Sequence, residues 1–220
     1  MNMNHLLLTG ALLTALVGCG QEPLAFLPRP IRVGYDRVEI LDADVVDLHH
    51  DGNKGIVVLT AEGFRYLEQV DGKFVDRTSG TALDKLAAAD AMHPDGEHYV
   101  LQRGDAFTRL EYSGIGTWHE VDTPMQGFEP APRLLVVADL DGDGIDDRAQ
   151  LIDERVLIEF SRGGQWLDVT ALVAADAVSL PATGHRLIAA DLDHDGHVDL
   201  LLVGGRLIAL MNNGGELLRP

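Results

Sequence analysis

Basic residues are scarce in this chain: 17 Lys and Arg stand against 35 Asp and Glu, a net charge of −18 over 220 residues. Such an acidic surface repels phosphate backbones and anionic headgroups, so nucleic acid is excluded as a partner. Cysteine is nearly absent. Cys19 is the only one, so no intrachain disulfide holds the fold. The apolar stretch near the N-terminus, Leu6–Gly18, has thirteen residues without a charge, too short to span a bilayer as a helix. No G-x-S-x-G, P-loop or H-E-x-x-H segment occurs, which leaves no nucleophile or metalloprotease constellation. The expectation is a protein that is not an enzyme. A hydrophobic share of 46% is compatible with a packed core and argues against disorder.

What is present begins with targeting. Residues 1–18 read as a signal peptide whose apolar region is Leu6–Gly18. The segment Leu16-Val17-Gly18-Cys19 resembles the bacterial lipobox, which implies lipid attachment at Cys19. The first five residues, Met1 to His5, carry no Lys or Arg, a departure from the usual basic start. Gly20, rather than Asp, follows the cysteine, and by resemblance to lipoprotein sorting this implies the outer membrane of a bacterial envelope. Residues 19–40 then read as the lipidated Cys and an extended tether that contains Pro23, Pro28 and Pro30. The run Ile31-Arg-Val33 could add an outer strand to the domain that follows.

Two later segments read almost alike: Asp139-Leu-Asp141-Gly-Asp143-Gly-Ile145-Asp-Asp147 and Asp191-Leu-Asp193-His-Asp195-Gly-His197-Val-Asp199. Each places carboxylates at positions 1, 3, 5 and 9 and glycine at 6. A tight loop turns alternate side chains inward, and the glycine permits the sharp bend. Carboxylates crowded in this way repel one another until a divalent cation neutralises them. All-oxygen donors favour Ca2+ over zinc or copper. Two calcium sites are therefore expected. Position 12 is Gln150 in one loop and Leu202 in the other, so neither is an EF-hand, which needs a bidentate Glu there. Short apolar runs on both sides, such as Leu187-Ile-Ala-Ala190 and Leu200-Leu-Leu-Val203, make each loop a strand-to-strand connection.

The loops belong to a repeat. Aligned on Gly52, Gly96, Gly144 and Gly196, the chain places Tyr66, Leu110, Ile158 and Leu210 fourteen residues on, and Phe74, Trp118, Trp166 and Leu218 twenty-two on. Each unit reads as four strands. The first precedes the loop, with Val45-Val46, Leu86–Ala89, Val136–Ala138 and Ile188–Ala190 in that place. The last is short: Lys73–Asp76, Thr117–Val121, Gln165–Val169 and Glu216–Leu218. A four-stranded unit of about 45 residues, repeated, predicts an all-β fold, a β-propeller-like array of four four-stranded blades over residues 41–220. About 180 residues suit a closed four-bladed ring better than an open fragment.

Over residues 41–218 the sequence resembles the FG-GAP/VCBS-type repeat family, whose blades carry a D-x-D-x-D-G-x-x-D loop between their first two strands. Ala138–Asp147 and Ala190–Val203 match closely, as does Met211-Asn-Asn-Gly-Gly215. The segments Phe74-Val-Asp-Arg-Thr78 and Trp166-Leu-Asp-Val-Thr170 resemble repeat ends. The resemblance implies Ca2+ ligation by Asp139, Asp141, Asp143, the Ile145 carbonyl and Asp147. In the second loop it implies Asp191, Asp193, Asp195, the His197 carbonyl and Asp199. Two repeats depart. The first has Asp47, His49 and Asp51 but Gly55 at position 9, and the second has Ala91, His93 and Tyr99 where carboxylates belong. His49 and His50 could take a transition metal, although solvated loop histidines fit better.

The function expected is a membrane-anchored, calcium-binding propeller module at the bacterial cell envelope, working in ligand binding or scaffolding. The ligand would be a protein or glycan. Alternatives are a structural subunit of an envelope complex and, less favoured, a hydrolase or lyase using Asp76, Asp122 or Asp168 as acid and base. Binding residues are expected on the end opposite the calcium loops, in the connections 77–85, 122–133 and 170–186, with Phe128 a candidate apolar anchor.

Overall fold

In the computed structural model the described residues are 23–33, 38–49, 51–79, 81–95, 98–112, 117–121, 128, 134–152, 155–173 and 186–215. They form an all-β molecule of four four-stranded antiparallel sheets. Sheet I holds β2 (Ile40–Val46), β3 (Gly55–Thr60), β4 (Gly63–Val70) and β5 (Lys73–Asp76). Sheet II holds β6 (Ala91–Asp95), β7 (His98–Arg103), β8 (Ala106–Tyr112) and β9 (Trp118–Val121). Sheet III holds β10 (Leu135–Ala138), β11 (Asp147–Ile152), β12 (Arg155–Arg162) and β13 (Gln165–Asp168). Sheet IV holds β14 (Arg186–Ala190), β15 (Asp199–Val203) and β16 (Leu207–Asn212), and takes its outer strand, β1 (Phe26–Ile31), from the other end of the chain. Among the described residues helix is limited to a 3-10 turn at Ala82–Lys85 and a single α turn, α1, at Thr170–Val173. No helix among the described residues is long and apolar enough to cross a membrane.

Burial follows residue pattern. The solid apolar runs of β3, β15 and β16 are buried along their whole length. Strand β11 alternates, with Asp147, Ala149 and Leu151 inward. A strand buried on both faces has no use for alternation, whereas a half-buried one needs it. Accordingly, sheets I and IV are packed on both faces, and β11 of sheet III is buried on one. One core joins III to IV through Leu151, Ile158 and Phe160 against Phe26, Leu202 and Leu210. A second joins IV to I through Leu201, Val203 and Met211 against Ile40, Ile56 and Val58. A third joins I to II through Leu59, Phe64 and Tyr66 against Met92, Leu101 and Trp118. Each leucine buried this fully contributes about 2 kcal/mol. The first strands of the sheets meet: β14 lies beside β10 and β2, and β2 beside β6. Among the described residues no fourth core joins II to III.

One strand assignment from the repeat needs correction. In the second repeat the first strand is Ala91–Asp95, not Leu86–Ala89. The residues aligned with loop positions 1, 3 and 5 are paired along β7, from Ala91↔Gln102 to Asp95↔His98, so the hairpin has lost the acid loop altogether. Without converging carboxylates nothing there opposes simple strand pairing. In the fourth repeat the expected last strand, Glu216–Leu218, lies outside the described residues. The edge of β16 is taken by β1, from Phe26↔Asn212 to Ile31↔Leu207. The segment 26–31, expected as tether, is extended but belongs to the sheet. Its prolines argued against a strand, yet an edge strand tolerates them because every second N–H points to solvent. Asn213 fixes the approach, accepting from Ala25 N through Oδ1 at 2.8 Å and donating from Nδ2 to Pro23 O at 2.8 Å.

Candidate metal centre

The two acid loops connect β10 to β11 and β14 to β15. Glycine at position 6 is left-handed in both, Gly144 at φ 84° and Gly196 at φ 90°. Position 4 is left-handed as well, Gly142 at φ 76° and the non-glycine His194 at φ 63°. Loop N–H groups bond to the carboxylates. Asp139 accepts from Asp143 N at 3.1 Å and Gly144 N at 2.9 Å, and Asp191 from Gly196 N at 3.1 Å. Asp143 accepts from Ile145 N and Asp195 from His197 N, each at 2.9 Å. These bonds curl the chain so that carboxylate oxygens of Asp139, Asp141 and Asp143 lie within 4.8 Å of one another, and likewise Asp191, Asp193 and Asp195.

Asp147 and Asp199, at position 9, stand apart from these triads. Both are wholly buried. Asp147 accepts from Leu140 N at 3.1 Å and Ser161 N at 2.8 Å, and Asp199 from Leu192 N at 2.8 Å and Asn212 N at 2.7 Å. Each therefore ties the start of its loop to the third strand of its sheet. Burial pushes the Asp199 carboxyl up to about 6, with the charges of Asp193 and Asp195 adding to it and the two N–H bonds opposing. Asp147 is shifted upward for the same leading reason. Ile145 and His197 occupy position 7. The Ile145 side chain is exposed, and the His197 ring packs against Gly214, where a Cβ would come within 2.1 Å of Nε2.

The triads differ in how their charge is met. In the first, Arg162 from the end of β12 bonds Asp141 and also Asp143, the latter at 2.9 Å. In the second, Asp191 Oδ1 and Asp193 Oδ1 are buried without a hydrogen-bond partner among the described residues. Burial raises the Asp193 carboxyl, and Asp195 and Asp191 raise it further. Clustered carboxylates that include buried, unpartnered oxygens are the donor set a hard divalent cation requires, so the residues fit Ca2+.

The first repeat keeps the loop but not the full carboxylate set. Asp47 accepts from Asp51 N at 3.1 Å and Gly52 N at 2.9 Å, as Asp139 does in its own loop. Gly55 replaces the position 9 carboxylate, and the Tyr66 ring fills the space: a Cβ on Gly55 would lie 2.5 Å from it. Burial pushes the Tyr66 hydroxyl up to about 12, with Glu68, Asp51 and Asp47 contributing. His49 meets Tyr66 edge to face at 6.1 Å, and His50 lies outside the described residues.

Two of the acids considered for catalysis, Asp76 and Asp168, have structural work. Asp76 accepts from Thr78 N at 2.9 Å and Oγ1 at 2.6 Å, and Thr78 Oγ1 accepts from Tyr66 N at 2.9 Å. Asp168 accepts from Thr170 N at 3.0 Å, and Thr170 Oγ1 from Ile158 N at 2.8 Å. The Asp-x-Thr ending thus closes two sheets in the same way. Asp122, like Cys19 and the signal segment, lies outside the described residues. Phe128 packs on sheet II, 5.6 Å from His93 and 5.5 Å from Phe107 between ring centres. The end of sheet III opposite the acid loop carries an open cavity of about 570 Å³ bounded by Ile152, Arg155, Leu157, Asp168 and Thr170.

Sequence reasoning missed Arg162, Asn212, and the ion cluster of Arg186 with Asp42 and Asp44. Asn212 was visible only as part of a motif. Its Nδ2 donates to Leu140 O at 2.9 Å and Val198 O at 3.2 Å, linking the two acid loops.

No family model matches the chain, and no curated protein matches it. Among solved structures, a lectin from Agrocybe aegerita described as recognising non-reducing terminal N-acetylglucosamine aligns at 16% identity and a TM-score of 0.27, covering 78% of this chain and 52% of the lectin. The Tc holotoxin pore of Photorhabdus luminescens aligns at 20% identity and a TM-score of 0.27, covering 83% of this chain and 9% of the toxin. The chain thus spans about half the length of the first and a small part of the second.

Proposed function

We propose that the chain is a calcium-stabilised, FG-GAP/VCBS-like propeller module, held at the bacterial cell envelope by lipid on Cys19 and acting in non-catalytic ligand binding or scaffolding. The observation that carries this is the pair of matching Asp triads, each built by the same left-handed turn and each set between the first two strands of a repeated sheet. Bound Ca2+ would be held by Asp139, Asp141 and Asp143, and by Asp191, Asp193 and Asp195. Asp147 and Asp199 anchor the loops beside it. The propeller arrangement is supported by the meeting of first strands β10, β14, β2 and β6, and by β1 joining the N-terminal end to the last sheet. The cavity beyond β11 and β12 supports a binding role for the end opposite the loops.

A structural subunit of an envelope complex is the second reading. It is favoured by the outer face and edge of sheet III, where Leu135, Val137, Ile152 and Trp166 are exposed.

Calcium titration of the protein by calorimetry, together with thermal melting, tests the proposal. About two ions should bind. An ion that binds only the folded loops stabilises by RT ln(1 + [L]/Kd), about 2.7 kcal/mol at a hundredfold excess over Kd. Asp141→Ala and Asp193→Ala should each remove one ion. Absence of binding at millimolar calcium would refute the calcium role. For the anchor, Cys19→Ser should abolish incorporation of labelled fatty acid.

A further inference from the structure

We infer that Arg162 is a tethered cation that competes with the divalent ion at the first acid loop, so that the two loops fill in a fixed order, 191–199 before 139–147. The inference rests on the calcium reading and extends it to an inequality between the sites.

The argument starts from the loops' shared construction. Both triads converge within 4.8 Å, and both loops have the same left-handed turn and the same buried Asp at position 9. Their ligand residue types are identical, so their intrinsic demand for a cation is alike. They differ in the residue that follows the strand-three N–H bonded to the position 9 carboxylate. Ser161 N bonds Asp147 and the next residue is Arg162; Asn212 N bonds Asp199 and the next residue is Asn213. Asn213 is engaged with the N-terminal segment at Pro23 and Ala25. Arg162 instead turns onto its own loop, bonding Asp141 and Asp143. Its guanidinium packs 5.3 Å from the centre of the Phe160 ring, which helps to hold it there. A divalent ion entering the first loop must displace charge-assisted hydrogen bonds before it gains its own ligands. In the second loop Asp191 Oδ1 and Asp193 Oδ1 are buried and accept no hydrogen bond; the nearby Arg29 lowers the Asp193 carboxyl by its charge but bonds Gly72 O, so the ion breaks no side-chain hydrogen bond at those oxygens. The first site is consequently the weaker one, and its occupancy follows calcium over a higher concentration range.

The test is a calcium titration by calorimetry on the full chain and four variants. The wild type should give two events separated by about tenfold or more in Kd, the scale of a charge-assisted bond pair. Arg162→Ala should tighten the weaker event by about tenfold and leave the tighter one unchanged. Arg162→Gln, which keeps a polar, partly aliphatic side chain and loses the charge, should do the same and serves if the alanine variant fails to fold. Asp193→Asn should remove the tight event alone, and the double variant Asp193→Asn/Arg162→Ala should show one event at the newly tightened Kd. Two equal wild-type events unmoved by either Arg162 variant would overturn the inference and leave calcium binding intact. So would tightening at the second loop instead. No calcium binding by any variant would sink both the inference and the calcium reading.

Discussion

Arg186 on β14 donates from Nη1 to Asp42 Oδ1 on β2 at 2.9 Å, and the two side chains are 4% and 8% exposed. Asp44 Oδ1 lies 2.8 Å from Nη2 of the same guanidinium. The other Asp42 oxygen accepts from Met92 N on β6 at 3.2 Å. One buried cation and two acids thus join the first strands of sheets IV, I and II, across 144 residues of sequence between Asp42 and Arg186. Removing one partner of a buried ion cluster leaves an uncompensated charge. Arg186→Ala should therefore destabilise the fold by about 3–5 kcal/mol. Arg186→Ala combined with Asp42→Asn and Asp44→Asn should recover part of that loss. Urea denaturation of the single and triple variants checks both.

The carboxylates of one loop should separate into structural and ligand roles. Asp199 is buried with each oxygen on a backbone N–H, whereas Asp195 is exposed. In chelator, Asp199→Ala should cost about 2–4 kcal/mol through two stranded N–H groups, and Asp195→Ala less than about 1 kcal/mol. In saturating calcium the cost of Asp195→Ala should grow, because a site is lost as well. Melting curves with and without calcium give all four values.

Gly55 and Tyr66 should behave as a coupled pair. A methyl group at Gly55 would overlap the Tyr66 ring at 2.5 Å, so Gly55→Ala should cost about 1–3 kcal/mol. With Tyr66→Leu already present, the added cost should fall below about 1 kcal/mol. A double-mutant cycle by denaturation measures the coupling. A cycle without coupling would mean that the ring is not what closes position 9 in this repeat.

Asn213→Ala should loosen the N-terminal strand rather than the whole fold. It removes the bonds to Ala25 N and Pro23 O, about 1–2 kcal/mol together. Amide exchange should speed up in β1 and in the β16 N–H groups that face it, while β3 and β4 keep their protection. Uniform acceleration across all sheets would contradict this local role.

Much of this architecture was legible because local chemistry decides it. Aspartates at alternate positions with glycine at 6 make the same turn wherever they occur, so the triads at 139–143 and 191–195 could be located from spacing alone. Solid apolar runs such as Leu200–Val203 likewise announce strands buried on both faces. The ends of repeats, Asp76-Arg-Thr78 and Asp168-Val-Thr170, were visible as recurring segments, although their hydrogen bonding was not. Three matters were left to the tertiary structure. Which chain end supplies the outer strand of sheet IV depends on whether an edge is free, and prolines at 28 and 30 are unfavourable in a strand everywhere except at such an edge. The second repeat's hairpin shows that a degenerate loop can vanish into strand pairing once its carboxylates are gone. The partners of Arg162 and Arg186 lie 21 and 144 residues away, and an arginine in the sequence carries no mark of which acid it will meet. Pattern determines turns and strands because those are set by neighbours along the chain. Ion pairing, strand exchange between chain ends and the filling of Gly55 by Tyr66 are set by neighbours in space, and only packing decides them.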